Sequence, residues 1–259
     1  MEVNNMRASG FESALTGMRN PLSSWARADS KYGIALAIAP VIGTNPNLSI
    51  VKKEYADKYP EADCNAIVDW LNANGSQIYK NGDMYEYTYI GPNDLDLAMR
   101  LGQAGSEHRK YLRQISVNMD ITAPAFWISE LDIYKINTTR NSTSLQHKGA
   151  SRDYTLDDFT FDACPDNIDD FLDVIDLINK YRRLYIETKD YLYFRIMRQL
   201  MPMGFEYTIT YSCNYENLRT ICYQRKNHPL KEWRDFIEAV RTLPYADQLI
   251  FGEQPKFLL

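Results

Sequence analysis

Strict alternation of apolar and polar positions occurs in two stretches of the chain. In Ile115–Thr122, Ile115, Val117, Met119 and Ile121 fall on one side, with Ser116, Asn118, Asp120 and Thr122 on the other. In Glu206–Ser212, Tyr207, Ile209 and Tyr211 alternate with Thr208, Thr210 and Ser212. A period of two sends successive side chains to opposite faces, so both stretches predict half-buried strands. Elsewhere the period is helical. Phe11–Met18 reads as a short amphipathic helix behind the Ser9-Gly10 turn, stopped by Asn20-Pro21. Asn93 offers a cap to a helix from Asp94 to about Gln103, with Leu95, Ala98, Met99 and Gly102 on one face. Pro124 opens a helix over Phe126–Tyr134 that aligns Trp127, Leu131 and Tyr134. Asn167–Leu184 reads as a long helix with a buried stripe of Ile168, Phe171, Leu172, Ile175 and Ile178. Lys231–Val240 turns Trp233, Phe236, Ile237 and Val240 inward before Leu243-Pro244 ends it.

Residues 31–90 are harder to read by period. Tyr32–Ile42 is apolar, Pro40, Pro46 and Pro60 punctuate the region, and Ala66–Leu71 has a helical pattern with Ile67, Trp70 and Leu71 inward. Turns at Asn72–Gly75 and Asn81–Gly82 bracket a hairpin that ends in Tyr85, Tyr87 and Tyr89. The stretch reads as an insertion or an elaborated edge, and its tyrosines as packing residues.

Composition narrows the picture. Across 259 residues, 45% hydrophobic content supplies an ample core. The net charge of −5 argues against a surface that coats nucleic acid, although a few local arginines suffice to bind a small anion. Cys64, Cys164, Cys213 and Cys222 make no C-x-x-C pair and only three His are present, so neither a zinc site nor a disulfide framework is expected. Asp169, Asp170, Asp173 and Asp176 read as a solvated helix face rather than as metal ligands. No leader pattern is visible at the N-terminus, and Ile34–Ile42 is too short to span a bilayer. The expectation is a cytoplasmic protein in a reducing compartment, with no membrane partner.

Two arginines stand on otherwise apolar faces. After the Asn214 cap, Leu218, Ile221, Cys222 and Arg225 fall at i, i+3, i+4 and i+7, and Arg198 shares a face with Tyr191, Phe194 and Met201. A guanidinium withdrawn from water must meet an anion or acceptors. Pairing with some of the 34 acidic residues, snorkelling to water, and an anion site beside the strand all answer that need.

The residues Arg198, Met201-Pro202, Asn214, Leu218 and Arg225, with Glu232 and Arg234 beyond them, resemble the C-terminal signature of flavin-dependent thymidylate synthases. The spacings from Arg198 to Arg225 agree without gaps, and Glu232 and Arg234 need a one-residue deletion. The family's defining run, Arg-His-Arg-x-x-Ser-x-Asn-x-x-Ser-x-Arg, falls on Tyr134–Gln146 (YKINTTRNSTSLQ) if one residue is allowed after Pro124. There Thr139 replaces the first Ser, Asn141 and Ser144 are kept, and Tyr134-Lys135-Ile136 replaces the opening Arg-His-Arg. Without the family, Asn137–Ser144 is a polar, hydroxyl-rich loop of the kind that makes turns. His108 matches by position a family histidine near the flavin, though a lone His is as readily structural. Arg19 matches an arginine that closes the family's first helix.

The resemblance spans about residues 92–240. It implies an α+β fold, a curved antiparallel sheet flanked by helices, in a single domain over 1–259 with an insertion at about 31–90. It implies a homotetramer with sites between subunits, and transfer of a methylene from methylenetetrahydrofolate to dUMP with hydride from reduced FAD. By position, Arg198, Arg225, Ser144 and Asn141 are the nucleotide contacts, and His108, Asn214 and Lys135 lie on the cofactor side. The departures fall on the flavin: the cationic run is gone, and Glu216 stands where the family has Arg. The resulting expectation is a divergent binder of a small anionic pyrimidine nucleotide with an eroded flavin site and no firm cofactor. Two alternatives remain beside it: an active flavoenzyme modifying a deoxyuridine nucleotide, and a non-enzymatic protein that senses or sequesters nucleotides.

Overall fold

The computed structural model describes residues 1–36, 79–81, 84–162 and 167–253. The helix expected at Ala66–Leu71, the Asn72–Gly75 turn, most of the Tyr32–Ile42 run, Cys64 and Cys164 lie outside the described residues. The elements are, in chain order, β1 (Glu2–Ser9), α1 (Phe11–Arg19), β2 (Lys31–Leu36), β3 (Tyr79–Asn81), β4 (Met84–Tyr89), α2 (Pro92–Ala104), β5 (Ser116–Pro124), α3 (Ala125–Leu131), β6 (Thr139–Ser142), α4 (Leu145–Lys148), α5 (Ile168–Thr188), α6 (Tyr191–Gln199), β7 (Glu206–Asn214), α7 (Tyr215–Arg225), α8 (Lys231–Arg241) and α9 (Ala246–Leu249). Helices and an antiparallel four-stranded sheet, in the order β1-β5-β7-β6, make this an α+β fold, and β2-β4-β3 form a second sheet. The chain divides into two compact units, Met1–Asn5 with Met119–Ser212, and Met6–Asn118 with Cys213–Leu259.

Both alternating stretches are strands. β5 buries Val117, Met119 and Ile121, and β7 buries Ile209 and Tyr211. The hairpin expected before Tyr89 is β3 against β4, with Lys80 opposite Tyr85, and β2 pairs antiparallel with the other edge of β4.

In the unit containing Met6–Asn118, burial of an ion pair organises the N-terminal third. Arg19 and Asp94 side chains are only 3% and 2% exposed, and Arg19 Nε donates to Asp94 Oδ1 at 2.5 Å. Arg19 spends its other nitrogens on the carbonyls of Ser24 and Arg27. The second Asp94 oxygen accepts from the Asp29 and Ser30 amides and the Ser30 hydroxyl. Asp29 in turn accepts from the amides of Asn93 and Asp94, the first turn of α2. The expected Asn93 cap is therefore corrected: Gly91 is the cap residue, and the side chain that satisfies the first amides comes from Asp29. A Cβ on Gly91 would lie 2.3 Å from the Asp29 Cγ, so only glycine lets the carboxylate approach. Behind this network, Phe11 meets Tyr215 edge-on at 5.6 Å, and the Tyr215 hydroxyl donates to the Pro244 carbonyl.

In the unit containing Met119–Ser212, Tyr154, Phe159, Ile175, Ile178, Phe194 and Met197 form the core. Three sequence expectations change here. The polar run after α3 is not simply a loop, because Thr139–Ser142 pairs with β7 as an exposed edge strand. The α5 stripe is shorter than its pattern, since Ile168 and Leu172 remain 38% and 41% exposed. The buried line of α6 runs through Phe194 and Met197, which leaves Arg198 exposed at its margin rather than on the apolar face.

Replacing Asp94 by Ala would strand a buried guanidinium and release three donors of the Asp29–Ser30 turn. The expected loss of stability is about 3–5 kcal/mol in urea denaturation, and a loss near the ~0.5 kcal/mol of an ordinary surface substitution would contradict the role assigned to the pair.

Candidate functional site

Register on β7 decides what the edge strand presents. Thr139 pairs with Ser212, Arg140 with Tyr211, Asn141 with Thr210 and Ser142 with Ile209. The Thr143 amide extends the pairing to the Thr208 carbonyl. Ser144 then becomes the half-buried cap residue of the one-turn α4, its carbonyl accepting from the His147 and Lys148 amides. This brings Gln146 to Arg198, whose Nη1 donates to Gln146 Oε1 at 3.0 Å. Burial pushes the Tyr207 phenol pKa up, while the charges of Arg198 and Arg140 pull it down, so both guanidinium groups act on one ring. Arg140 Nη2 is held by Asp132 at 2.8 Å. On the polar side of the strands, Asp120 accepts from Asn5 and Thr210, which hold its carboxyl below the usual range, and Thr122 bonds Thr208.

Of the residues nominated in this unit, Arg198 is thus brought to the Ser144–Gln146 turn, and Asn141 lies exposed on the same edge strand. Lys135 lines a small cavity of about 280 Å³ with Asp132, Arg140 and Tyr211. Ser144 and Lys148 line another of about 220 Å³ with Tyr154 and Thr208.

The nominated residues of the other unit are Arg225, His108 and Asn214. Arg225 is half-buried at the end of the Leu218, Ile221, Cys222 face, as its spacing requires, and its guanidinium lies 4.8 Å from the ring centroid of the fully buried Trp233. A ring face answers part of what desolvation of the cation demands. Asn214 is buried, and its side chain is committed to a reciprocal capping box with Asn217. His108 is 52% exposed and stands at the start of the 3-10 turn Arg109–Gln114, 3.6 Å from Glu107.

Sequence reasoning missed Arg109. It grips Glu216 through Nε to both carboxylate oxygens and Nη2 to one, at 3.1–3.2 Å, with the two side chains 22% and 12% exposed. The acid at the first turn of α7 is therefore neutralised in place rather than presented as a negative charge. Nothing local marks this pair, whose members stand 107 residues apart. Arg219, also missed, donates to the Leu249 and Ile250 carbonyls, and burial lowers its pKa. Cys213 and Cys222 are buried free thiols whose pKa burial pushes up, which makes them inert as nucleophiles. Among the described residues no group of His, Cys, Asp or Glu is placed to hold a metal, and no helix is long and apolar enough to cross a membrane.

No family model matches the sequence, and no curated protein resembles it closely enough in sequence to align with it. Solved structures do match. Two are of the flavin-dependent thymidylate synthase ThyX from Helicobacter pylori, each with FAD and dUMP. One has a TM-score of 0.59 at 14% identity, covering 97% of this chain and 99% of its own. The other has a TM-score of 0.60 at 16% identity, covering 97% and 98%. The chain has a ThyX-like fold, and at such identity the likeness is one of fold.

The Arg109–Glu216 pair can be tested by charge exchange. Glu216→Arg alone sets two guanidinium groups against each other, and Arg109→Glu alone sets two carboxylates; each should lower stability by about 2–3 kcal/mol. The double exchange should recover at least half of that loss in thermal denaturation, whereas simple additivity of the two singles would show that the residues do not interact.

Proposed function

We propose that this protein binds a pyrimidine nucleoside monophosphate, of the dUMP kind, on a ThyX-like fold whose flavin-holding half is eroded. The observation that carries the reading is Arg198. Its hydrogen-bond partner is the neutral amide of Gln146, and among the described residues no carboxylate pairs with it. A planar guanidinium held at the Ser144–Gln146 turn, with its charge uncompensated, is suited to a phosphate or to the acceptor edge of a uracil. Asn141 and Ser144 supply neutral donors and acceptors on the same connection.

The ThyX structures hold FAD as well as dUMP, and the residues nominated for the flavin here fit it poorly. Asn214 spends its side chain on the α7 cap, and Glu216 is closed by Arg109. Of Tyr134-Lys135-Ile136 only Lys135 is a cation, and Arg140 beside it is bonded to Asp132. A dinucleotide pyrophosphate needs several charge-assisted donors, so these commitments support a binder rather than a flavoenzyme. A homotetramer belongs to the same reading. On α5, Ile168, Leu172, Val174, Leu177 and Ile186 remain 36–43% exposed, apolar surface that association with further copies would cover.

Calorimetric titration of the purified protein with dUMP tests the first half. Arg198→Ala should weaken binding by about 2–4 kcal/mol, and Arg198→Lys should recover part of it, because a point charge does not reproduce the guanidinium fork. Equal affinity in parent and alanine variant would refute the assignment. For the second half, the protein should purify colourless, take up no stoichiometric FAD and make no thymidylate from dUMP and methylenetetrahydrofolate. A yellow preparation bleached by NADPH would restore the flavoenzyme.

A further inference from the structure

Helices α7 and α8, with the segment that follows α9, enclose a cavity of about 850 Å³, a size common among small-molecule sites. Its lining carries Arg219 and Tyr223 from α7, Lys226 at the C-cap that follows it, and Arg234 from α8. The first three stand at i, i+4 and i+7, and Lys226 keeps helical backbone angles, so they share one helical face. Arg219 Nη1 donates to the Leu249 and Ile250 carbonyls, and Arg234 Nη1 donates to the Pro229 carbonyl. Lys226 Nζ lies 4.8 Å from the centroid of the Tyr223 ring. Their partners are thus carbonyls and a ring, and among the described residues none of these three cations bonds a carboxylate. The other two lining arginines differ: Arg109 is closed by Glu216, and Arg241 by Asp247 and Glu253. Of the lining acids, Glu253 is held by Arg241 and Glu238 is exposed on α8. Burial, and then the neighbouring charge of Arg109, lower the pKa of Arg219; an anion placed beside it would oppose both effects.

Spacing selects the kind of anion. Seven residues of helix separate Arg219 from Lys226 by about 10 Å along the axis, so one phosphate group reaches only one of them, while a chain of phosphates reaches both. Tyr223 stands between them and is 73% exposed, with Lys226 over its ring and the remaining surface open to a second flat group. Ile237 and Phe251 add apolar wall.

We propose that this cavity binds a nucleoside triphosphate, with the phosphate chain along Arg219, Lys226 and Arg234 and the base against Tyr223. Glu238 offers an acceptor of the kind a ribose hydroxyl meets. The site uses none of Arg198, Ser144, Asn141 and Arg225, so it stands or falls apart from the monophosphate reading. A protein holding both would join a nucleotide ligand to a second nucleotide input.

The test is calorimetric titration of the full chain with ATP and, separately, with inorganic tripolyphosphate. Both should bind. The double variant Lys226→Glu/Arg234→Glu, whose side chains are exposed and outside the core, should lose about 100-fold in affinity for each ligand. Tyr223→Ala should weaken ATP by about tenfold and leave tripolyphosphate unchanged, since only ATP carries a base to stack. Arg198→Ala should leave ATP binding intact even where it abolishes dUMP binding. Circular dichroism checks that each variant is folded. No binding of ATP by the parent at millimolar concentration, or unchanged affinity in the double variant, would overturn the proposal. An equal effect of Tyr223→Ala on both ligands would overturn the placement of the base.

Discussion

A guanidinium group taken out of water must be met, because its desolvation costs more than one protein can lose and arginine cannot discharge itself by giving up a proton. Much of this structure follows from the different ways that demand is answered. Arg19 is answered completely, by Asp94 and two carbonyls, and the answer fixes the path of the chain from α1 to α2. Asp94 holds the Asp29–Ser30 turn with one oxygen while Arg19 fixes the other in place. That turn then supplies the Asp29 carboxylate which starts α2, so one buried pair positions a helix terminus from a distant point of the sequence.

Arg109 and Glu216 give a second kind of answer, a bidentate pair with both side chains mostly covered. It fastens the 3-10 turn before β5 to the first turn of α7, beside the bond from the Tyr215 amide to the Ile115 carbonyl. A carboxylate at a helix N-terminus and the guanidinium that meets it are both consumed by structure.

A third group escapes that demand in part or entirely: Arg219 is half-buried, and Arg198, Lys226 and Arg234 are exposed. Their partners are an amide, backbone carbonyls and an aromatic ring, which satisfy hydrogen-bond geometry or polarise favourably without cancelling the charge. In a chain with a net charge of −5, such cations mark where an anion would be stabilised locally. The distinction between arginines that are neutralised and arginines that are merely bonded therefore separates the scaffold from the places where ligands are proposed.

Period and residue type settled what depends on near neighbours. The alternation of Ile115–Thr122 and Glu206–Ser212 gave both strands their faces, and the inward positions of α2 and α8 were legible because a helix repeats within four residues. The spacing of Arg198, Asn214 and Arg225 was enough to indicate the fold that the ThyX structures share. What the sequence withheld has one physical character: partners brought together from far along the chain. β6 carries no apolar alternation of its own and is a strand only because β7 offers it a ladder. Asn93 looked like a cap because asparagine caps helices, but the helix starts at Pro92 and Asp29, from far back in the chain, takes the amides of Asn93 and Asp94. Glu216 read as an uncompensated acid until folding set Arg109 against it across 107 residues. Local preference writes the elements, whereas the cost of leaving a charge or an amide unmet is settled only when tertiary structure decides who is near.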